Sequence, residues 1–494
     1  MHMTRKQFLS IGLAGQAPSL AAAVRWAGSA AAGRKPRNVL LLMSDQHRPG
    51  ALGIAGDPYA RTPHLDHLAR SGVRFSSAYC TNPVCVPSRM SILTGLYAHN
   101  HGAVGNEVPL PFRVRTMAHA FDAAGYMTAL VGKMHFVDAQ THGFAYRLDF
   151  NDWLQFLGPK AKLYADELGQ ANSGSGLPQI PALWSGYGDP WRGARKPDGR
   201  EGPVQTGGVS KMDERDHFDS FVADESVRFL REHGREQPFL LISSFLKPHD
   251  PFMPAERFAR MYQPEDMRLP DSWNPATRHA ATPELRDPRL ARLRMAMYYA
   301  CLAQMDDCAG RVLRALDESG LAGDTIVLYI SDHGEMLGEH GLWAKFVFYE
   351  PSVGVPLLIR VPGVTPADAR CATPVSLTQI LPTLTELCGV PTPRGLDGAS
   401  LVQDLRAPGT PRETTVFSEY HNGRPDAQYM IRKGGFKLNL YANRGAELFD
   451  LLSDPHEMNN LAEAPESRAK VRELKQALFA WYRPPEAGFS RELL

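Results

Sequence analysis

The chain has 494 residues, with 54 Lys and Arg against 53 Asp and Glu, a formal net charge of +1. That balance gives no global electrostatic reason for nucleic acid or an anionic membrane as partner. Its 43 Gly and 39 Pro are too few for a disordered chain, and its six cysteines are too sparse for a disulfide scaffold and include no CxxC pair.

Residues 1–33 read as an export signal. A basic start at Arg5-Lys6 precedes a weakly apolar stretch over 11–24 and the small residues Ala30, Ala31 and Ala32. The segment is too short to span a bilayer and is similar to twin-arginine signals, with Lys6 in place of the second arginine. The expected location is the periplasm or the exterior, or the cytoplasm if the signal does not function; a disordered basic tail is the plainer alternative. No run of about 18 apolar residues occurs, so no membrane span is expected.

From residue 34 to 405 short apolar runs alternate with amphipathic stretches, as in an α/β domain with a large, mostly parallel central sheet flanked by helices. The runs at 39–43, 127–131, 239–245, 325–330 and 355–361 are rich in Val, Leu and Ile, as strands buried on both faces should be. Thr62-Pro63 followed by Leu65, Leu68 and Gly72 predicts a helix with an N-cap, an N1 proline and a terminating glycine. Residues 291–319, ending at Gly320, carry apolar positions at helical spacing. The Gly-, Pro- and Ser-rich stretch 158–208 is expected to be a long surface excursion near the site. Short strand-like pieces and a terminal amphipathic helix over 406–494 suggest a smaller C-terminal α+β subdomain.

Ligands bind open α/β sheets beyond the carboxyl ends of strands, so the residues after each run matter most. Ser44-Asp45-Gln46-His47, Gly132-Lys133-Met134-His135, Lys247-Pro248-His249-Asp250 and Ser331-Asp332-His333-Gly334 follow four of them. Asp45, Gln46, Asp332 and His333 suit a divalent cation of the Ca²⁺, Mg²⁺ or Mn²⁺ kind. Lys133, His135, Lys247 and His249 add positive or protonatable groups, and the combination implies an anionic substrate, phosphate or sulfate. His47, His340, Glu335 and Asp250 fit better as groups that satisfy loop backbone.

The segment Cys85-Val86-Pro87-Ser88-Arg89, with Thr94-Gly95 downstream, closely resembles the Cys-x-Pro-Ser-Arg signature of the formylglycine-dependent sulfatases of the alkaline-phosphatase-like superfamily. Asp45-Gln46, Gly132-Lys133-Met134-His135, Lys247-Pro248-His249, Ser331-Asp332-His333-Gly334 and Lys345 match further family segments in order. Many members carry a second Asp where this chain has Gln46, and some carry Asn at the place of His333.

The resemblance implies metal-dependent hydrolysis of sulfate esters to inorganic sulfate and an alcohol. A maturation enzyme would convert Cys85 to formylglycine, and residue 85 would join Asp45, Gln46, Asp332 and His333 around one ion, Ca²⁺ first, with Mn²⁺ or Mg²⁺ as alternatives. Arg89 would hold a hydroxyl of the hydrated aldehyde as it attacks sulfur. Lys133, Lys247, His249 and Lys345 would bind substrate, with His249 or Lys345 protonating the leaving oxygen and His135 deprotonating the second hydroxyl. The partners would be a sulfated small molecule or glycan and the maturation enzyme. The alternatives are a phosphonate monoester or phosphodiester hydrolase of the same superfamily and, from another class, a catalytically silent anion- or glycan-binding protein.

Overall fold

The computed structural model describes residues 37–137, 140–163, 208–233, 235–276 and 286–483. The expected export signal, and most of the excursion anticipated over 158–208, lie outside them.

The first sheet contains β1 (Asn38–Ser44), β2 (Val73–Tyr79), β3 (Met127–Gly132), β4 (Tyr146–Leu148), β5 (Phe239–Ser244), β6 (Thr325–Ser331), β7 (Gly354–Arg360), β8 (Ala369–Cys371) and β9 (Val375–Ser376). They run in the order β4-β3-β5-β1-β6-β7-β2-β8, with β9 beside β2. β4, β3, β5, β1 and β6 are mutually parallel. β7 lies antiparallel to both β6 and β2, so the fifth apolar run is a strand as expected but reverses direction.

The apolar runs have no polar face because each face of the sheet is covered. Leu40 and Leu42 of β1 join one core with α1 (Pro63–Arg70), α3 (Phe218–Glu232) and α4 (Pro288–Glu318). Val39, Leu41 and Met43 point into the other, with α2 (Cys85–Thr94) and α5 (Ile380–Cys388). Burying one such leucine contributes about 1.5–3 kcal/mol, so truncation at Leu41 would be felt in the centre of the domain. α2 is buried along its whole length, as a helix between a sheet and other helices must be.

Two details of α1 differ from expectation. Thr62 stands at the N-cap position, but its hydroxyl donates to Asp66 Oδ1 and accepts from Gly53 N instead of capping the helix. Gly72 does not terminate the helix, which ends at Arg70; a Cβ there would meet the Ile359 carbonyl oxygen at 2.3 Å, so the glycine serves the approach of β7.

The second sheet is antiparallel: β10 (Thr415–Tyr420), β11 (Gln428–Lys433), β12 (Phe436–Tyr441) and β13 (Gly445–Asp450). Tyr429, Ile431, Leu438 and Leu440 pack on Leu474 and Leu478 of α6 (Arg468–Trp481), while Val416 and Met430 face the main body. Buried Lys437 joins the two parts, with Nζ 2.7 Å from Glu350 Oε1, 2.6 Å from Glu457 Oε1 and 2.7 Å from the Phe348 carbonyl. Among the described residues no helix is long and apolar enough to cross a membrane.

Candidate active site

β3, β5, β1 and β6 are consecutive in the sheet and parallel, so their carboxyl ends form one edge. That adjacency brings together segments far apart in the chain: Ser44 pairs with Ser331, and Gly132 with Ser244. Gly132 is required at the crowded end of β3, where φ is +107° and a Cβ would lie 2.0 Å from the Ser244 carbonyl oxygen.

Cys85 is the first residue of α2, and its thiol lies at the middle of this edge. Its Sγ is 3.3 Å from His333 Nε2, 3.4 Å from Lys345 Nζ and 3.9 Å from Asp45 Oδ1, and His135 hydrogen-bonds it. Burial alone would push the thiol up, but Lys345, Lys133, His333 and the His135 hydrogen bond bring it well below the usual thiol range. Lys345, pulled down by burial but held up by Cys85, Asp45, Asp250 and Asp332, reaches about 12 and is fully charged at neutral pH.

Asp45, Cys85, Asp332 and His333 present ligand atoms within 4.8 Å of one another, all buried. The outer oxygens of the two carboxylates are occupied: Asp45 Oδ2 by Arg89 at 2.9 Å and Lys133 at 2.6 Å, Asp332 Oδ2 by Arg89 Nε at 2.7 Å. The inner oxygens, Asp45 Oδ1 and Asp332 Oδ1, each lie 3.7 Å from His333 Nε2. Burial opposes ionisation of Asp45, yet Lys133, His249 and Arg89 hold it far below the ordinary carboxylate range. Burial disfavours a charged His333, whereas Asp332 draws its pKa upward. Two carboxylates with inward-facing oxygens, an imidazole and an amide carbonyl form a donor set that fits a hard divalent cation.

Gln46 sits at φ +68° directly after Asp45. Its Nε2 donates to Glu335 Oε2 at 2.5 Å and to Asp250 Oδ1 at 3.4 Å, which turns Oε1 toward Lys345 Nζ at 2.8 Å. Because only the nitrogen can donate to a carboxylate, Glu335 sets the amide's orientation. The other Glu335 oxygen accepts from Leu337 N and Ala344 N, so the backbone role expected for this residue is present and the Gln46 contact is additional. Its place two residues after His333 is the one sign of this role in the sequence.

His249 is 2.9 Å from Lys345 Nζ through Nε2 and 2.5 Å from its neighbour's carbonyl, Asp250 O, through Nδ1. Thus Asp45, Gln46, Cys85, Lys133, His135, His249, Asp332, His333 and Lys345 converge. Two expected site residues are placed otherwise. Lys247 is buried, donates from Nζ to the Met253 carbonyl at 3.0 Å and lies by Asp219, Cys301 and Cys308, between α3 and α4, so it is not a substrate contact.

Arg89 is the second. It is fully buried behind the carboxylates; besides these it donates to the Lys133 carbonyl at 2.5 Å and Ser244 Oγ at 3.0 Å. It holds the acidic pair, and Cys85 lies close enough to add to the rise in its pKa. His47 is structural as expected, with Tyr329 Oη at 2.6 Å and the Ala51 carbonyl at 2.8 Å, and burial lowers it to about 4.

The sulfatase family model matches residues 37–390, and a model of the C-terminal region of N-sulphoglucosamine sulphohydrolase matches 338–483. An arylsulfatase of Clostridium perfringens is 29% identical, over 92% of this chain and 96% of its own length. A choline-sulfatase of Rhizobium meliloti is 31% identical, over 87% of this chain and 83% of its own. The crystal structure of a phosphonate monoester hydrolase of Agrobacterium radiobacter superposes with a TM-score of 0.74 at 26% identity, over 91% and 96% of the two chains. The chain therefore belongs to the sulfatase family of the alkaline-phosphatase-like superfamily and is a sulfuric ester hydrolase.

Proposed function

We propose that this sulfatase works through a formylglycine made from Cys85 by a maturation enzyme and through one divalent ion, Ca²⁺ before Mn²⁺ or Mg²⁺, at Asp45, Gln46, Asp332, His333 and residue 85. The observation that carries the reading is the ring of groups around Cys85: an ammonium, two imidazoles and a carboxylate on a side chain with no bulk solvent around it. Formylglycine, once hydrated, supplies a nucleophilic hydroxyl and a second hydroxyl on the same carbon, so sulfate can be released by elimination instead of by a separate attack of water. The ion, when bound, lowers the pKa of a hydroxyl beside it and offsets charge on the transferring group.

The chain's own residues have distinct jobs. Arg89 and Lys133 hold Asp45 ionised, and Arg89 aims both carboxylates. Lys133 and Lys345 provide the positive field for the sulfate oxygens. His249, in contact with Lys345 and partly exposed, passes a proton to the departing alcohol oxygen, and His135 takes one from the second hydroxyl at position 85. One sulfur–oxygen bond of the ester is broken and one water consumed per turnover. The substrate is a sulfated small molecule or glycan.

A second reading, phosphonate monoester or phosphodiester hydrolysis, draws on Gln46, which removes one negative charge from the ion site, and on the likeness to the Agrobacterium enzyme. Mass spectrometry of the Cys85 peptide, from protein made beside a maturation enzyme, should find it about 18 Da lighter than the thiol form. Sulfate esters should then exceed matched phosphonate esters in kcat/KM, and the reverse order would select the second reading. Cys85→Ala should remove turnover without unfolding the protein. No hydrolysis of any ester by matured protein would leave the silent binding protein. Export through residues 1–33 is part of the proposal, and a full-length product confined to the cytoplasm would refute it.

A further inference from the structure

Around Cys85 the least buried groups are His249, with 16% of its side chain exposed, and Lys345, at 8%. The alcohol half of an ester therefore lies on that side. Phe346 follows Lys345; its ring centroid is 6.0 Å from Lys345 Nζ and it is 42% exposed. Its φ is +78°, a conformation that costs a bulky residue on the order of 1–3 kcal/mol. Burial offsets only part of that strain, because the residue is partly exposed.

Facing it is Tyr420, with ring centroids 6.0 Å apart at 39°. Tyr420 in turn stacks on His421 at 3.8 Å and 23°. His421 also has a left-handed backbone, φ +55°, and its Nδ1 is 2.7 Å from Asp426 Oδ2. The carboxylate selects the Nδ1–H form and leaves Nε2 to a ligand. This strand end is fixed beside the nucleophile's segment, since Glu419 N donates to the Thr81 carbonyl at 2.9 Å, four residues before Cys85.

We propose that Phe346, Tyr420 and His421 form the subsite for the alcohol half of the ester and that it takes a sugar ring, its C–H face on Phe346 and a hydroxyl at His421 Nε2. The inference rests on the sulfatase reading and deepens it. Aromatic faces beside one oriented polar nitrogen match a ring that is apolar on its face and polar at its rim. A plain aryl group would use the rings and leave the His421–Asp426 pair idle, and an acyclic alcohol would use neither.

The test compares kcat/KM for a panel of monosulfated monosaccharides, 4-nitrophenyl sulfate and ethyl sulfate, with matured full-length protein. In Phe346→Ala the sugar-to-ethyl ratio should fall at least tenfold, and Phe346→Trp should restore it, which separates ring contact from misfolding. In His421→Ala the sugar-to-aryl ratio should fall by a similar factor. Ratios within twofold of the parent in both alanine variants would overturn the subsite. A loss confined to the aryl ester would overturn the sugar assignment. If the parent hydrolyses no sulfate ester at all, the sulfatase mechanism fails first and this inference with it.

Discussion

An amide such as Gln46 has no preference of its own for which end faces the ion site, and here Glu335 decides it through the 2.5 Å contact with Nε2. Glu335→Gln would keep Oε1 for Leu337 N and Ala344 N but set an NH₂ against the Gln46 NH₂, so the amide would lose its fixed direction. Outer-shell changes of this kind typically cost about 10–100-fold in metal affinity or activity. We expect calcium affinity, measured by titration calorimetry, to fall by that order while the melting temperature of the metal-free protein barely moves. A large fall in that melting temperature with affinity preserved would make Glu335 a loop brace only. Lys247 argues the opposite way. With its ammonium between α3 and α4, Lys247→Met removes the charge that favours ionised Asp219 and leaves that carboxylate to the backbone donors of residues 246 and 247, and losing a buried charge partner costs up to about 3–5 kcal/mol. Urea unfolding should show that loss while kcat/KM of the folded fraction changes by no more than a few-fold.

At the level of elements, the N-terminus of α1 is capped from a distance. Asp306 of α4 accepts from Leu65 N at 2.9 Å and from His64 N at 3.1 Å, so a helix whose own Thr62 is engaged elsewhere still has its first donors satisfied. Burial pushes Asp306 up to about 7 despite those donors, with Asp66 and Asp307 adding to the rise. The folded state thus keeps a proton that the unfolded chain releases near the ordinary aspartate value of 3.8. Between those values the folded state binds more protons, so this group's contribution to stability falls as pH rises from about 4 to about 7. Asp306→Asn removes the titration. Its stability relative to the parent, from urea unfolding, should therefore improve between pH 5 and pH 8, whatever the absolute cost of losing one acceptor; a constant difference would refute the shift. The same pair of helices shows what a sequence discloses. α4 was readable because Met295, Tyr298, Leu302, Met305 and Val312 repeat at helical spacing and are all buried. β1, β3, β5 and β6 were readable as uninterrupted apolar runs. β2, with Ser76 and Ser77 in its middle, and β4, β8 and β9, with two or three residues each, have no such pattern. A run buried on both faces carries no sign of direction, which is why the reversal of β7 is visible only in the fold.

For the molecule as a whole, the site is also part of the core. Strand-end residues such as Asp45 and Asp332 could be picked out because parallel strands aim their carboxyl ends at one edge, but the sequence could not tell that Arg89 sits behind them or that β10 delivers Tyr420 to the same edge. Arg89, with both carboxylates at 0% side-chain exposure, satisfies a charge pair that no water reaches. It follows that the fold should depend more on this arginine than on the metal. Removing the ion by chelation leaves Asp45 paired with Arg89 and Lys133 and Asp332 paired with Arg89, so turnover should vanish while the far-ultraviolet dichroism persists and added calcium restores activity. Arg89→Met instead leaves two buried carboxylates short of a partner, and loss of one member of such a pair costs about 3–5 kcal/mol. Urea unfolding of the metal-free parent and the metal-free variant isolates that term, because neither carries the stabilisation that a bound ligand adds to the native state. If chelation unfolds the parent as fully as Arg89→Met does, the acidic pair is held by the ion, and the arginine is secondary.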